Sequence, residues 1–491
     1  MRHVATAARV VARMTEHLTP LDATFLELEQ ADEAAHMHIG AALVFDPRPD
    51  GTVPSVGDVC RHLDSRLSHL PRYRRRLSEP RTGGLTWPAW EDDERFHLAS
   101  HVRHATLPAR GGGRELCEWL GDYWSHRLDR RRPLWEVVLL DGLEGGRWAL
   151  VTKTHHAMVD GVGSVDAGYL LLDDEAEPVG EEGAVEVVPL SERSEAHPSR
   201  RSRFADALRW GPDYVLRAAR GGADVALHPH KALEMLERSR ATVELLMRDE
   251  VIRAPRSSLN CDMGATRSFA VVRVPLSELK AVKSRQGGTV NDVALAAVTG
   301  GLRRLLVARG EEPPPQGLRA MVPMNVRQAS EKLALGNKVS SLFVHLPVGA
   351  ETTADRYQQV TAEAESLKSG TQSLGTSTII SLAGLAPPVV HASIARSLYA
   401  TRLFNVAVTN VSGPQQTLYA LGARLREILP LVPLAADHAV GVAIFSYDGS
   451  VVFGINAATD AVPDLAILRD GIAAEIQALR DLTAATQPAL M

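Results

Sequence analysis

Apolar and polar positions predict alternating strands and helices in the first third of the chain. An apolar run at 135–140, a glycine-containing turn and a second strand at about 147–154 together predict a β-hairpin. The pattern over residues 20–170 therefore favours a mixed α/β domain.

The second half repeats this alternation. A strand is predicted at 269–274, and the clearest helix of the chain at 289–309, where Thr289 is the predicted cap and Asp292 occupies the capping-box position. The sequence Tyr-Asp-Gly-Ser at 447–450 separates two apolar runs, at 439–445 and 451–457, and predicts a second hairpin. A last helix is predicted at 463–482. This half also indicates a mixed α/β domain.

Composition changes sharply between these two regions. From residue 173 to 203 acidic residues, proline, glycine and serine dominate, which is typical of a linker, and 204–250 is mostly helical in pattern. The predicted organisation is an N-terminal extension at 1–14, a first α/β domain at 15–172, an acidic linker with connecting helices at 173–259, and a second α/β domain at 260–491.

Charge and cysteine content narrow the class of protein. Lys and Arg total 54 against 59 Asp and Glu, a net charge of −5, which argues against a dedicated nucleic-acid binder. The three cysteines are far apart, so a disulfide framework or a zinc ribbon is not expected, and a reducing cytoplasmic setting fits. No apolar stretch reaches the ~18 residues of a transmembrane helix. The sequence therefore indicates a globular, multidomain protein without nucleic acid as a partner.

The densest group of reactive side chains follows the second strand of the first hairpin. His155 and His156 begin a string that ends in Asp160 and Gly161. Adjacent residues at a strand end point to opposite sides, so the two histidines are not expected to bind one metal, and no metal site is predicted. A histidine that faces a cleft is suited to proton transfer. Because nucleophile-elbow, phosphate-loop, zinc-protease and dinucleotide motifs are absent, the sequence favours acid–base chemistry without a covalent enzyme intermediate.

This His-His-x-x-x-Asp-Gly string resembles that of the coenzyme A-dependent acyltransferase superfamily, which includes chloramphenicol acetyltransferase and the condensation domains of peptide synthetases. The chain resembles more specifically the bacterial wax ester synthase/acyl-CoA:diacylglycerol acyltransferases. Segments at 18–22, 133–136, 291–293, 410–414 and 429–464 carry the resemblance together with the histidine string. The implied fold is α/β, with two chloramphenicol-acetyltransferase-like domains and a shared active-site channel at their interface.

The resemblance also implies roles for the string. His156 begins the shorter His-x-x-x-Asp-Gly core and is the implied general base. Asp160 is expected to be structural, with Arg327 as a candidate cation partner, and His155 either lines the channel or supports the fold. Gly161 permits a tight turn and a close backbone approach, and is counted with the substrate-binding residues.

Two further motifs supply candidate site residues. Asn291 lies in the first turn of its helix, where its amide is expected to stabilise an oxyanion or position substrate; capping of its own helix is the alternative. Asp292 is expected to cap that helix and is grouped with the substrate-binding residues. Pro133, Leu134 and Trp135 are packing residues or part of an acyl pocket.

The implied reaction transfers a long-chain acyl group from acyl-CoA to diacylglycerol or to a long-chain alcohol. No cofactor is expected, since acyl-CoA is a co-substrate. Because the products are neutral lipids, we expect a cytoplasmic enzyme in peripheral contact with the inner membrane face or lipid droplets; the apolar stretch at 374–400 is either an interfacial patch or a core helix. Two alternatives remain: a relative that acylates a smaller or carrier-bound acceptor, and a catalytically silent lipid-binding droplet protein.

Overall fold

A computed structural model describes most of both predicted domains. The described residues are 16–78, 88–108, 111–159, 171–176, 253–325, 339–369 and 403–485. The predictions for residues 1–14, for nearly all of the linker and connecting helices at 173–252, and for the stretch at 374–400 lie outside the described residues.

Helices and strands alternate along the described chain. The helices are α1 Pro20–Ala31, α2 Val56–Leu67, α3 Gly113–Trp124, α4 Leu276–Gln286, α5 Val290–Ala308, α6 Thr353–Ser369 and α7 Leu465–Ala485. The strands are β1 Glu16–His17, β2 His38–Phe45, β3 Arg75–Leu77, β4 Ala89–Asp92, β5 Val102–Thr106, β6 Trp135–Asp141, β7 Trp148–His155, β8 Arg267–Pro275, β9 Leu318–Asn325, β10 Val339–Leu346, β11 Val406–Ser412, β12 Tyr419–Ala420, β13 Ala423–Leu431, β14 Val440–Tyr447 and β15 Ser450–Ala458. The mixed α/β class predicted from the sequence is confirmed.

The first large sheet has six strands in the order β12-β13-β2-β7-β6-β5. β6 and β7 form the first predicted hairpin, and β7 pairs on its other side with β2, antiparallel in both cases. Apolar side chains of α2 pack on one face of this sheet and those of α3 on the other. β7 is therefore buried on both faces, which explains why its first four residues, 148–151, are all apolar rather than alternating with polar ones.

The second sheet also has six strands, in the order β10-β9-β11-β14-β15-β8. β14 and β15 form the second predicted hairpin, whose turn residues Asp448 and Gly449 have φ of 43° and 76°. α5 packs on α7 at two glycines: a Cβ at Gly300 would lie 2.2 Å from Glu475, and one at Gly301 would lie 2.6 Å from Ile472. The glycines therefore let the two helices approach closely over the sheet.

The two sheets are interlocked by a crossover of the chain. β12 and β13 belong to the first sheet, where β13 pairs with β2, although both strands lie in the segment 260–491. The edge of the Trp124 ring contacts Phe269 of β8 with centroids 4.8 Å apart. The strands at 419–431 thus belong to the sheet of the first half, although the predicted domain boundary assigns them to the second half. Side chains of both halves also pack together in one apolar cluster.

The described helices do not include a membrane-spanning candidate. None of them is both long and apolar enough to cross a bilayer.

Candidate active site

The histidine pair lies where β7 leaves the first sheet. His155 is the last residue of β7 and pairs in register with His38 of β2. The backbone N–H of His156 then donates to the carbonyl of Met37 at 2.8 Å, and that of Met158 donates to the carbonyl of His155 at 2.9 Å. The side chains of Ala157, Met158 and Val159 are fully buried. The strand end and these anchors hold the turn that carries His156.

His155 is enclosed and has a partner at each ring nitrogen. It is 0% exposed; its Nδ1 accepts the backbone N–H of Ala157 at 3.0 Å, and its Nε2 lies 3.3 Å from Oε2 of Glu29. Since Nδ1 is an acceptor, Nε2 carries the proton and donates it to the carboxylate. Burial lowers the pKa of His155, and the contact with Glu29 offsets this only in part. Of the two expected roles for His155, support of the fold matches its burial and channel lining does not.

Glu29 is the acceptor at the centre of this buried group. It is 2% exposed, and its Oε2 accepts two N–H bonds from Arg130, at 3.0 and 2.6 Å, besides that of His155. Nε2 of His38 lies 3.3 Å from its other oxygen. Burial opposes ionisation of this carboxyl, but the contacts with His155 and His38 outweigh it and hold the pKa of Glu29 well below its usual range. The group therefore carries a Glu29 anion opposite the Arg130 cation.

His156 differs from its neighbour in exposure. The residue is half-buried, and its ring stacks on Phe25 of α1 with centroids 3.9 Å apart and an interplanar angle of 17°. Phe25 packs against the small cluster around Met37, which Ala435 of the second half also contacts. His156 is thus the partly solvent-exposed histidine of the pair, at a place where both halves of the chain meet.

Residues 133–135 lie beside the end of β7, next to the histidine pair. All three are buried, and the carbonyl of Leu134 accepts the backbone N–H of His155 at 2.9 Å. The indole N–H of Trp135 donates to the carbonyl of Tyr73 at 2.7 Å, and its ring stacks on His101. Burial of Pro133, Leu134 and Trp135 favours the packing interpretation over the acyl pocket.

The first turn of α5 contains two candidate residues, Asn291 and Asp292, which make different contacts. The cap is a complete capping box: Thr289 Oγ1 accepts the N–H of Asp292 at 3.2 Å, and Asp292 Oδ2 accepts the N–H of Thr289 at 2.7 Å. Asn291 does not take part, so the alternative that it caps its own helix is wrong. Its Oδ1 instead accepts the side-chain N–H of Asn410 in β11 at 2.9 Å. The structure therefore brings together two of the motifs that the sequence singled out, and Asp292 completes the capping box of Thr289.

Several predicted site residues are not placed. Asp160 and Gly161, which complete the string, and Arg327 lie outside the described residues. Within the described part of the chain no three metal-ligand side chains converge.

Sequence reasoning missed four residues that surround the histidines: Phe25, Glu29, His38 and Arg130. Phe25 and Glu29 are four residues apart on α1, a spacing that places both on one helix face. This spacing is the signal in the sequence that could have linked the two residues. Nothing local pointed to Arg130, because its contact with Glu29 joins residues 101 positions apart.

Comparison with known proteins identifies the chain. The model for the wax ester synthase/diacylglycerol acyltransferase catalytic domain matches residues 18–294, and that for the WS/DGAT C-terminal domain matches 335–480. A probable diacylglycerol O-acyltransferase of Mycobacterium tuberculosis, tgs1, is 32% identical over 467 residues, covering 93% of this chain and 94% of its own. A second one from that organism, tgs2, is 31% identical over 453 residues, covering 91% and 95%.

Solved structures show the same fold. The wax ester synthase/diacylglycerol acyltransferase from Marinobacter aquaeolei VT8 aligns with a TM-score of 0.68 at 24% identity, over 96% of this chain and all of that one. The first condensation domain of the calcium-dependent antibiotic synthetase aligns with a TM-score of 0.58 at 16% identity, over 96% and 97%. The fold is thus that of the acyltransferase and condensation-domain class.

Within that class the chain belongs to the wax ester synthase/diacylglycerol acyltransferase family. It is an acyltransferase, as the resemblance implied.

Proposed function

We propose that this acyltransferase moves a long-chain acyl group from acyl-CoA to the hydroxyl of diacylglycerol or of a long-chain alcohol. The observation that carries the proposal is the contrast within the histidine pair. His156 is half-buried at the strand end, whereas His155 is fully enclosed and engaged at both ring nitrogens. The relatives named as diacylglycerol O-acyltransferases support the same reaction.

His156 acts as general base in this proposal. It takes the proton of the acceptor hydroxyl while that oxygen attacks the thioester carbonyl carbon, which forms a tetrahedral oxyanion. When the oxyanion collapses, the carbon–sulfur bond breaks and the CoA thiolate takes the proton back from the imidazolium. The products are an ester and free CoA, and no acyl group is attached to the enzyme.

Asn291 is the proposed donor to the oxyanion or to the substrate carbonyl. Its Oδ1 is occupied by the amide of Asn410, so the side chain is oriented with its own N–H groups directed elsewhere. The residue lies at the second position of α5, where the free N–H groups of the helix favour negative charge. Both features suit a group that stabilises a developing anion.

The lipid nature of the acceptor leads to the proposed location. An enzyme that esterifies diacylglycerol or a fatty alcohol has to draw its acceptor from a lipid phase. We therefore place the protein in the cytoplasm, in peripheral contact with the inner membrane face or with lipid droplets, and acyl-CoA is the soluble partner.

A two-acceptor assay tests the proposed reaction. The purified protein is incubated with palmitoyl-CoA and either dipalmitoylglycerol or hexadecanol in mixed micelles, and CoA release and ester formation are followed together. We expect ester in amounts that match the released CoA with at least one acceptor. CoA release without ester, or no turnover with either acceptor, would overturn the proposal.

Asn291→Ala is expected to lower kcat about 100-fold, because removal of one donor to an oxyanion has an effect of that order. The lost bond to Asn410 lowers the free energy of unfolding by about 1 kcal/mol. Initial rates and urea unfolding measure the two effects.

Thr289→Ala is the matched control for Asn291→Ala. It removes the N-cap in the same turn and also lowers stability by about 1 kcal/mol. Its kcat should stay within threefold of the unchanged protein. Equal losses of turnover in both variants would mean that Asn291 acts only through the stability of the helix.

A further inference from the structure

Helix α1 contacts both histidines of the motif through one face. Phe25 stacks on the His156 ring, and Glu29, one turn further along, accepts from His155. Residues four apart on a helix lie on the same side, so a single element supports both imidazoles. The predicted chemistry did not use this helix.

A chain of hydrogen bonds runs from this helix to the turn that carries His156. Arg130 donates to Glu29, Glu29 accepts from Nε2 of His155, and Nδ1 of His155 accepts the backbone N–H of Ala157. Ala157 directly follows His156. The Glu29 carboxylate thus sets the tautomer of His155, and that tautomer provides the acceptor that fixes the backbone beside His156.

Both ends of α1 are fixed, so the helix can serve as a rigid support. Thr19 and Asp22 form a capping box at its start. At its other end Arg127 donates to the carbonyls of Glu29 and Asp32 at 2.8 Å. These bonds satisfy the last carbonyls of the helix and tie it to the loop that precedes β6.

We propose that Glu29 and Phe25 are positioning residues for His156. Glu29 fixes the backbone turn through His155, and Phe25 restricts the imidazole plane by stacking. In this proposal both act through the histidine pair and not on the substrate. The inference rests on the proposed function, since it takes His156 as the base of acyl transfer.

Glu29→Gln tests the positioning role against a purely structural one. The substitution keeps the size of the side chain but removes the charge that orders Arg130 and His155. Misplacement of a reacting group by about 1 Å costs on the order of 100-fold in rate. We expect kcat to fall 10- to 100-fold, with KM for palmitoyl-CoA changing less than threefold.

Glu475→Gln is the matched control. Glu475 is also fully buried and accepts three N–H bonds from Arg356, at 2.9, 2.6 and 2.8 Å, but it lies on α7 and its partner lies on α6. Both variants should lose melting temperature, and only Glu29→Gln should lose kcat, with assays made well below both melting temperatures. Equal kcat in the two variants would overturn the proposal.

Phe25→Leu keeps the proposal testable if Glu29→Gln does not fold. It removes the ring stack while leaving an apolar side chain, and we expect kcat to fall about 10-fold with little change in melting temperature. Phe96→Leu is its control, because Phe96 is also half-buried and stacks on a histidine, His101, with centroids 5.3 Å apart. Equal kcat in these two variants would overturn the role of Phe25.

A measurement without turnover separates failure of this inference from failure of the proposed function. Diethyl pyrocarbonate modifies accessible imidazoles, and peptide mass spectrometry gives the rate at His156 alone. We expect that rate to rise at least threefold in Glu29→Gln and in Phe25→Leu, and to stay unchanged in Glu475→Gln and Phe96→Leu. If the unchanged protein makes no ester, the proposed function fails while this comparison still decides the positioning role; equal rates in all five proteins would overturn it.

Discussion

His156→Ala is expected to abolish ester formation while leaving the fold intact. General base catalysis contributes roughly 10²–10⁴-fold, so kcat should fall by at least 100-fold. The residue is half-buried, and its backbone N–H, which the substitution keeps, donates to the carbonyl of Met37. Loss of the ring therefore removes the proton acceptor and the stack on Phe25 without emptying a core site.

Coupled measurements check the His156→Ala result. Ester formation from palmitoyl-CoA is compared with the circular dichroism spectrum and the urea midpoint of the same preparation. His104→Ala is the control, since His104 is 47% exposed and pairs with Asp141 at the far end of β6; its kcat should be unchanged. A His156→Ala protein that keeps more than about a tenth of the activity would refute the general-base role.

Local patterns in the sequence were sufficient for most elements. Both hairpins and the α5 helix with its capping box were predicted within one or two residues of their observed bounds. Each of these is determined by neighbours in sequence, such as the turn at Asp448 and Gly449 or the Thr289 cap. Local signals of this kind are therefore sufficient to locate these elements without knowledge of the tertiary contacts.

Long-range pairing was not accessible in this way. β13 joins the first sheet although it lies almost 400 residues beyond β2, and its apolar run has no feature that distinguishes one sheet from the other. The Glu29–His155 contact likewise joins residues 126 positions apart. In both cases the partner is selected by packing of the complete fold, which no local window contains.

The candidate site shows the same difference between local signals and long-range contacts. The motif gave both histidines, but only burial separates the enclosed His155 from the accessible His156. Asn291 and Asn410 were each singled out from separate motifs, and their pairing required β11 to lie beside α5. Motifs therefore identified the reactive side chains, whereas the residues that orient them, Glu29 and Arg130, emerged only from the structure.

Stability is expected to fall steeply as the pH drops from 6.5 towards 4, because several buried histidines stay neutral in the fold. Burial, together with the nearby Arg267, lowers the pKa of His36 to about 3. Burial likewise lowers the pKa of His38 to about 4, even though Glu29 opposes the shift. It also lowers the pKa of His438 to about 4, although hydrogen bonds to backbone carbonyls oppose this shift. In the unfolded chain each of these groups titrates near 6.5.

The sign follows from proton linkage. Between about pH 4 and 6.5 the unfolded chain binds protons that the folded chain does not, so the free energy of unfolding decreases as the pH falls. Each such histidine contributes up to about 1.4 kcal/mol per pH unit, and three together about 4 kcal/mol. A stability of about 6–10 kcal/mol, which is within the typical range, would therefore be lost at about pH 4–5.

Urea unfolding between pH 7 and 4.5 measures this slope, and one substitution isolates a single contribution. His438 is 2% exposed, and its Nδ1 donates to the carbonyl of Ala436. His438→Asn preserves a side-chain N–H donor but cannot titrate, so it should reduce the slope by up to about 1.4 kcal/mol per pH unit. Stability that stays level from pH 7 to 5 would contradict the prediction. A slope in His438→Asn equal to that of the unchanged protein would show that His438 is not one of the groups that resist protonation in the fold.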